Sequence, residues 1–141
     1  MASKNVETVL TYLERSMAND YDAVAPLIGE GYRWIDRIRG VDASTPEELA
    51  KELEWDGVFA DRSMTIDNVM ETLDGAVVVQ GTLRGTHAKE WYSIPATGCH
   101  VEIQFCDVFR FDGDGRIVLE DGYFDQLATL SQIGAIDCPF Y

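Results

Sequence analysis

The sequence predicts an α+β domain, because helical patterns fill its first half and hairpin-connected strands its second. The first supporting observation is Val101–Phe111. There Val101, Ile103, Phe105, Asp107, Phe109 and Phe111 alternate with Glu102, Gln104, Cys106, Val108 and Arg110. A period of two marks a strand with one buried face. The second observation is the spacing of Val6, Val9, Leu10, Leu13 and Met17, which marks an amphipathic helix. A strongly bent antiparallel sheet, wrapped by the N-terminal helices, would enclose a cone-shaped apolar cavity. The acids that interrupt the apolar faces would point into it.

The elements follow in order. Val6 to about Ala18 is the first helix, capped by Ser3 or Asn5. Tyr12 lies at the edge of its apolar stripe, where its hydroxyl can reach a cavity or complete an ordinary core. Asn19-Asp20 breaks that helix. Tyr21–Ile28 forms a second one, closed by a Gly29-Glu30-Gly31 turn. Tyr32–Asp36 reads as a strand with Tyr32, Trp34 and Asp36 on one face. After a polar loop, Thr45-Pro46-Glu47-Glu48 opens a helix with a capping Thr, an early Pro and acids against the dipole. Trp55 and Phe59 follow it, as pocket walls or plain core.

The remainder is β-rich. Met64–Leu73 and Ala76–His87 are strands joined at Asp74-Gly75. The second strand ends its inner face at His87, where an imidazole can shuttle protons or simply hold structure. Ala88–Cys99 is a connection carrying Trp91. Asp112-Gly-Asp-Gly115 turns the chain from the central strand into Arg116–Asp125. There Asp121 and Asp125 alternate with Glu120 and Gly122. Gln126–Ile133 is a last helix, ending at Gly134.

The chain has 141 residues and reads as a single domain over residues 1–141, with 46% hydrophobic and 26% charged residues. Its net charge of −14 argues against nucleic acid and anionic membranes as partners. No run is apolar enough to span a bilayer, and the N-terminus lacks a signal-peptide core. The three cysteines, Cys99, Cys106 and Cys138, have no metal spacing and read as free thiols of a cytoplasmic protein. No dinucleotide fingerprint, P-loop, nucleophile elbow or zinc motif occurs. No metal and no cofactor is expected. What remains is acid–base chemistry by Asp, Tyr and His. Asp107 is the first candidate, since an acid among aromatics must find a partner or stay neutral.

The segments YLERSMANDYDAVAPLI, YRWID, CDVFRF with DGDGRI, and YFD followed by QIG together resemble the NTF2-like superfamily. That group includes ketosteroid isomerases, SnoaL-like polyketide cyclases and limonene epoxide hydrolases. The resemblance covers nearly the whole chain and implies an NTF2-like (cystatin-like) cone. It also implies roles. By likeness to ketosteroid isomerases, Asp36 falls on or near the general base, while Tyr12 and Asp107 match the donors to an enolate oxygen. In ketosteroid isomerases one of those donors is a carboxylic acid kept neutral by its apolar site. By likeness to SnoaL-like cyclases, seen in Gly85-Thr-His87, IPATG and GRIVLE, the carboxylate lies on the last strand. Asp125 or Asp121 is its nearest match.

The expected activity is a cofactor-independent acid–base reaction through an enolate of a hydrophobic carbonyl compound. Trp34, Trp55, Phe59, Trp91, Phe105 and Asp121 would bind the substrate. The alternatives are a non-catalytic binding or dimerisation module, and epoxide hydrolase-like water activation. Against the last, Gly122 stands where one of the acids is needed. The resemblance also implies a homodimer.

Overall fold

The computed structural model describes residues 2–53 and 55–140, and their side chains apart from those of residues 46, 52, 53, 55 and 56. The expected wall residue Trp55 therefore lies outside the described side chains. Helix α1 (Lys4–Met17) is capped by Ser3, whose hydroxyl accepts from the Val6 amide, and it buries Val9, Tyr12 and Leu13. Helix α2 (Tyr21–Val24) runs into a 3₁₀ turn at Ala25–Leu27. Strand β1 (Ile28–Asp36) follows at once, then β2 (Val41–Ala43), α3 (Pro46–Leu53) and α4 (Trp55–Val58). Strands β3 (Ser63–Glu71), β4 (Val77–Thr86), β5 (His100–Phe111) and β6 (Ile117–Phe124) precede the closing helix α5 (Gln126–Gln132).

The described strands form one curved, unclosed sheet in the order β2-β1-β6-β5-β4-β3. The expected antiparallel sheet needs one correction. β1 pairs with β6 in parallel, which makes the sheet mixed. The expected Gly29-Glu30-Gly31 turn is also corrected, because it lies inside β1. A Cβ at Gly29 would stand 2.4 Å from Asp112 Oδ2, 3.0 Å from Val118 Cγ1 and 3.3 Å from Arg116 Cβ, so glycine leaves the room in which β1 runs beside the β5–β6 turn. Gly31 has φ +78° and sits where the β1–β6 register is irregular.

The inner face of the sheet carries the core. Trp34, Val77, Val79, Phe105 and Phe109 pack there against Val9, Tyr12 and Leu13 of α1. β4 contributes Gly81, Leu83 and Gly85 to the same face. At Gly81 the Phe105 ring occupies the space of the missing side chain, 2.5 Å from where a Cβ would stand. No described helix is long and apolar enough to cross a membrane.

The β5–β6 hairpin decides which acids face inward. Phe111 opposes Ile117, yet Arg110 opposes Leu119. Val118 is thus an extra residue on β6, a β-bulge. Beyond it every side chain changes face relative to an unbulged ladder. Asp107 opposes Gly122, Phe109 opposes Glu120, and Phe105 opposes Phe124. Glu120, Gly122 and Phe124 therefore share the inner face with Asp107.

Candidate active site

Four polar side chains converge in the apolar core. Tyr12 reaches in from α1, Tyr32 from β1, Asp107 from β5 and Glu120 from β6. The Tyr12 hydroxyl donates to Glu120 Oε2 at 2.5 Å and lies 2.6 Å from the Tyr32 hydroxyl. Asp107 hydrogen-bonds Glu120, and Tyr32 does so too. Each of these groups is almost wholly withdrawn from water. The Tyr12 ring is further fixed edge-on against Phe109, with centroids 5.7 Å apart.

Burial sets the protonation pattern. It pushes the Asp107 carboxyl well above the usual carboxylate range, and the Glu120 charge beside it pushes further. Burial also raises Glu120, against hydrogen bonds from Asp107, Tyr12 and Tyr32 that favour its charged form. Glu120 collects three donors and Asp107 collects none, so the shared proton rests on Asp107. Both phenols are held neutral, chiefly by burial and then by the Glu120 charge. The neighbours that act on the two acids are other acids, phenols and the Cys106 thiol. The two carboxyl groups titrate as one unit, with Asp107 the more strongly raised of the two.

One atom of this cluster is unsatisfied. Asp107 Oδ1 is buried and has no hydrogen-bond partner among the described residues. It faces the space over Gly122. A Cβ at Gly122 would lie 3.3 Å from Asp107 Oδ1, 3.4 Å from Trp34 Nε1 and 3.0 Å from Phe124 Cε2. The missing side chain thus leaves an acid oxygen and an indole N–H flanking one small space, with the Phe124 ring edge beside them.

One cavity adjoins the cluster, and a second shares part of its wall. The inner one, about 30 Å³, is lined by Tyr12, Trp34, Phe105, Asp107 and Glu120, among others. The outer one, about 50 Å³, is lined by Phe59, Trp91, Val101, Ile103, Gln126 and Thr129, among others. Leu83 and Phe124 line both.

The sequence-predicted residues fall into groups. Tyr12, Asp107, Trp34 and Phe105 meet at the inner cavity, and Phe59 and Trp91 at the outer one. Asp36 is on the inner face and fully buried, but it lines neither cavity. Its Oδ1 accepts from the Ile38 and Arg39 amides and its Oδ2 from Arg39 Nε at 2.5 Å. Asp121 lies on the outer face, 2.6 Å from Arg37 Nη2. Asp125 caps α5 through the Ala128 amide. His87 is buried behind Phe59, with Nδ1 2.9 Å from the Thr97 hydroxyl, and it too lines neither cavity. Glu120 and the hydroxyl of Tyr32 are the members that sequence reasoning missed. Glu120 stood on the face set opposite Asp121, and the signal that could have found it is the β5–β6 register. Among the described residues no group of three His, Cys, Asp or Glu side chains is arranged to hold a metal ion.

This fold recurs in solved structures. A SnoaL-like polyketide cyclase from Jannaschia sp. CCS1, so named provisionally, is 25% identical, with 97% of this chain and 99% of that one covered and a TM-score of 0.80. IdmH from Streptomyces antibioticus, a candidate polyketide cyclase, is 22% identical over 94% of this chain and 99% of its own, with a TM-score of 0.78. A limonene-epoxide-hydrolase-like epoxide hydrolase from M. tuberculosis is 21% identical over 92% and 88%, with a TM-score of 0.66. No curated protein matches the chain significantly. The family model for the SnoaL-like domain matches residues 9–120, a span that begins in the first helix and ends at the acid on the last strand. The chain belongs to the SnoaL-like family.

Proposed function

We propose that the protein is a cofactor-independent acid–base enzyme that forms an enolate from a hydrophobic carbonyl compound. The observation that carries this reading is the buried Asp107–Glu120 pair, with one proton between two acids and an unpartnered Asp107 oxygen at an apolar cavity. A purely structural acid pair would be expected to satisfy that oxygen, since an unmet buried acceptor costs about 1–3 kcal/mol.

The base role passes from Asp36 to Glu120 in this reading. Both Asp36 oxygens are engaged by Arg39 and backbone amides outside the cavities, whereas Glu120 lines the inner one. Glu120 takes the proton from carbon next to the carbonyl. The C–H electron pair becomes the enolate double bond, and the carbonyl oxygen gains the charge. Once Glu120 is protonated it no longer needs its three donors. The Asp107 and Tyr12 protons are then free to hydrogen-bond the new oxyanion, with the Trp34 N–H beside them. The enolate next returns a proton at another carbon, which is isomerisation, or attacks a second carbonyl, which is aldol cyclisation. The structural neighbours named as polyketide cyclases support the second outcome, and the geometry serves either.

The test is exchange of α-protons for deuterium, followed by NMR in D₂O over a panel of cyclohexenones and aryl ketones. Wild type should accelerate exchange for at least one member by about 100-fold over Glu120→Gln, the low end for a positioned base. Equal rates in the two proteins overturn the assignment of Glu120. No acceleration over buffer by wild type overturns the enzymatic reading.

A further inference from the structure

We propose that the two cavities are one substrate site divided by a movable partition, Leu83 and Phe124, which sets the size of compound that reaches the acids. This rests on the acid pair being the reacting site. The volumes make the first argument. A dry apolar cavity of about 150 Å³ takes up a benzene ring. The inner cavity has about 30 Å³ and the outer about 50 Å³. A cyclic carbonyl compound therefore fits neither compartment as it stands, and the wall common to both has to yield.

The second argument is what that wall covers. The Phe124 ring edge and the unpartnered Asp107 Oδ1 lie 3.0 and 3.3 Å from the same point over Gly122. Phe124 thus flanks the oxygen that lacks a partner, and turning it away opens the acid to a ligand. Leu83 is the residue on β4 that can move with it. Its inner-face neighbours are both glycines. At Gly81 the space belongs to the Phe105 ring, and at Gly85 to Phe59, whose Cβ is 3.2 Å from where a side chain would begin. Among the β4 residues on this face, Leu83 is the side chain that stands between those two ring-filled positions. The substrate class that follows is a flat carbonyl compound with a head one ring wide. The head passes between Leu83 and Phe124 to the acids, and an apolar remainder lies against Phe59 and Trp91.

Binding of phenol and 2-naphthol, measured by calorimetry, tests the partition. The second ring adds apolar area, so an undivided pocket favours 2-naphthol. In wild type the partition opposes that preference. In Leu83→Ala the ratio of the 2-naphthol Kd to the phenol Kd should fall at least tenfold. Phe124→Leu, which trims the same wall from the other side, should move the ratio in the same direction if Leu83→Ala does not fold. An unchanged ratio in a folded variant, or binding of neither ligand to it, overturns the proposal. The size ratio does not depend on Glu120 acting as a base, so failure of the exchange experiment and failure of the partition are read separately.

Discussion

Asp36 and Asp107 are both buried acids on the inner face of the same sheet, and they stand in one row. Asp36 is paired with Gly122 on one side of β6, and Asp107 with Gly122 on the other. Two strand spacings put them roughly 10 Å apart. Their surroundings have opposite effects. Asp36 is fully buried and receives two backbone amides and a guanidinium. Asp107 is 3% exposed, faces another acid and leaves one oxygen bare. Burial is common to the two and distinguishes nothing. The partner decides, because a carboxylate held by Arg39 is a structural tie and a carboxyl held against Glu120 is a proton store. The first stabilises the β1–β2 turn. The second costs stability, the trade expected of the reacting pair proposed above.

The comparison can be broken most sharply at Asp36. Asp36→Ala leaves Arg39 without its buried partner and strips the Ile38 and Arg39 amides of their acceptor. The expected loss is about 3–5 kcal/mol in urea unfolding. Phenol affinity of the folded fraction should be unchanged. A loss below about 1 kcal/mol would mean that Asp36 is not the tie described here.

The pH dependence sharpens the other side. The folded pKa of Asp107 is raised above the unfolded value near ~3.9. In the window from that value up to the raised one, the native state binds more protons than the unfolded chain. Stability from this pair is therefore full below about pH 4 and is lost as pH rises through the raised pKa, at up to about 1.4 kcal/mol per pH unit for one proton. Urea midpoints between pH 5 and 9 should fall with pH in wild type more steeply than in Asp107→Asn. Parallel curves would show that no proton is stored there.

The smallest effect is a gain. At pH 8, Asp107→Asn should stabilise the fold by about 1 kcal/mol, since the amide keeps a donor for Glu120 without a charge to suppress. A destabilised variant would place Asp107 with Asp36 as a structural acid.

Most of the frame was legible in the sequence, because alternation and helical spacing report burial directly. Val101–Phe111, Tyr32–Asp36 and the capped first helix needed nothing beyond local pattern. Asp107 was legible for the same reason, as the one charge in an apolar row. Glu120 was not. Its strand shows two acceptable faces, and the choice depends on a pairing register that an extra residue shifts. An unbulged hairpin would have set Asp107 opposite Asp121. The parallel pairing of β1 with β6 was hidden as well, because it joins residues more than 80 positions apart. The fate of Asp36 turned on Arg39, three residues ahead, whose direction no periodicity reveals.

The bulge at Val118 also bears on how such a scaffold changes chemistry over time. Point substitutions alter one side chain at a time, whereas the bulge decides the whole set of β6 side chains that meets the core. With Val118 taken into a regular ladder continued from the Phe111–Ile117 pair, the strand would turn Asp121 and Tyr123 inward and Glu120 and Phe124 outward. The acid and the ring beside it would change together. Loss of Val118 itself would instead leave Glu120 opposite Phe109, so the inner acid is set by how one extra residue is housed.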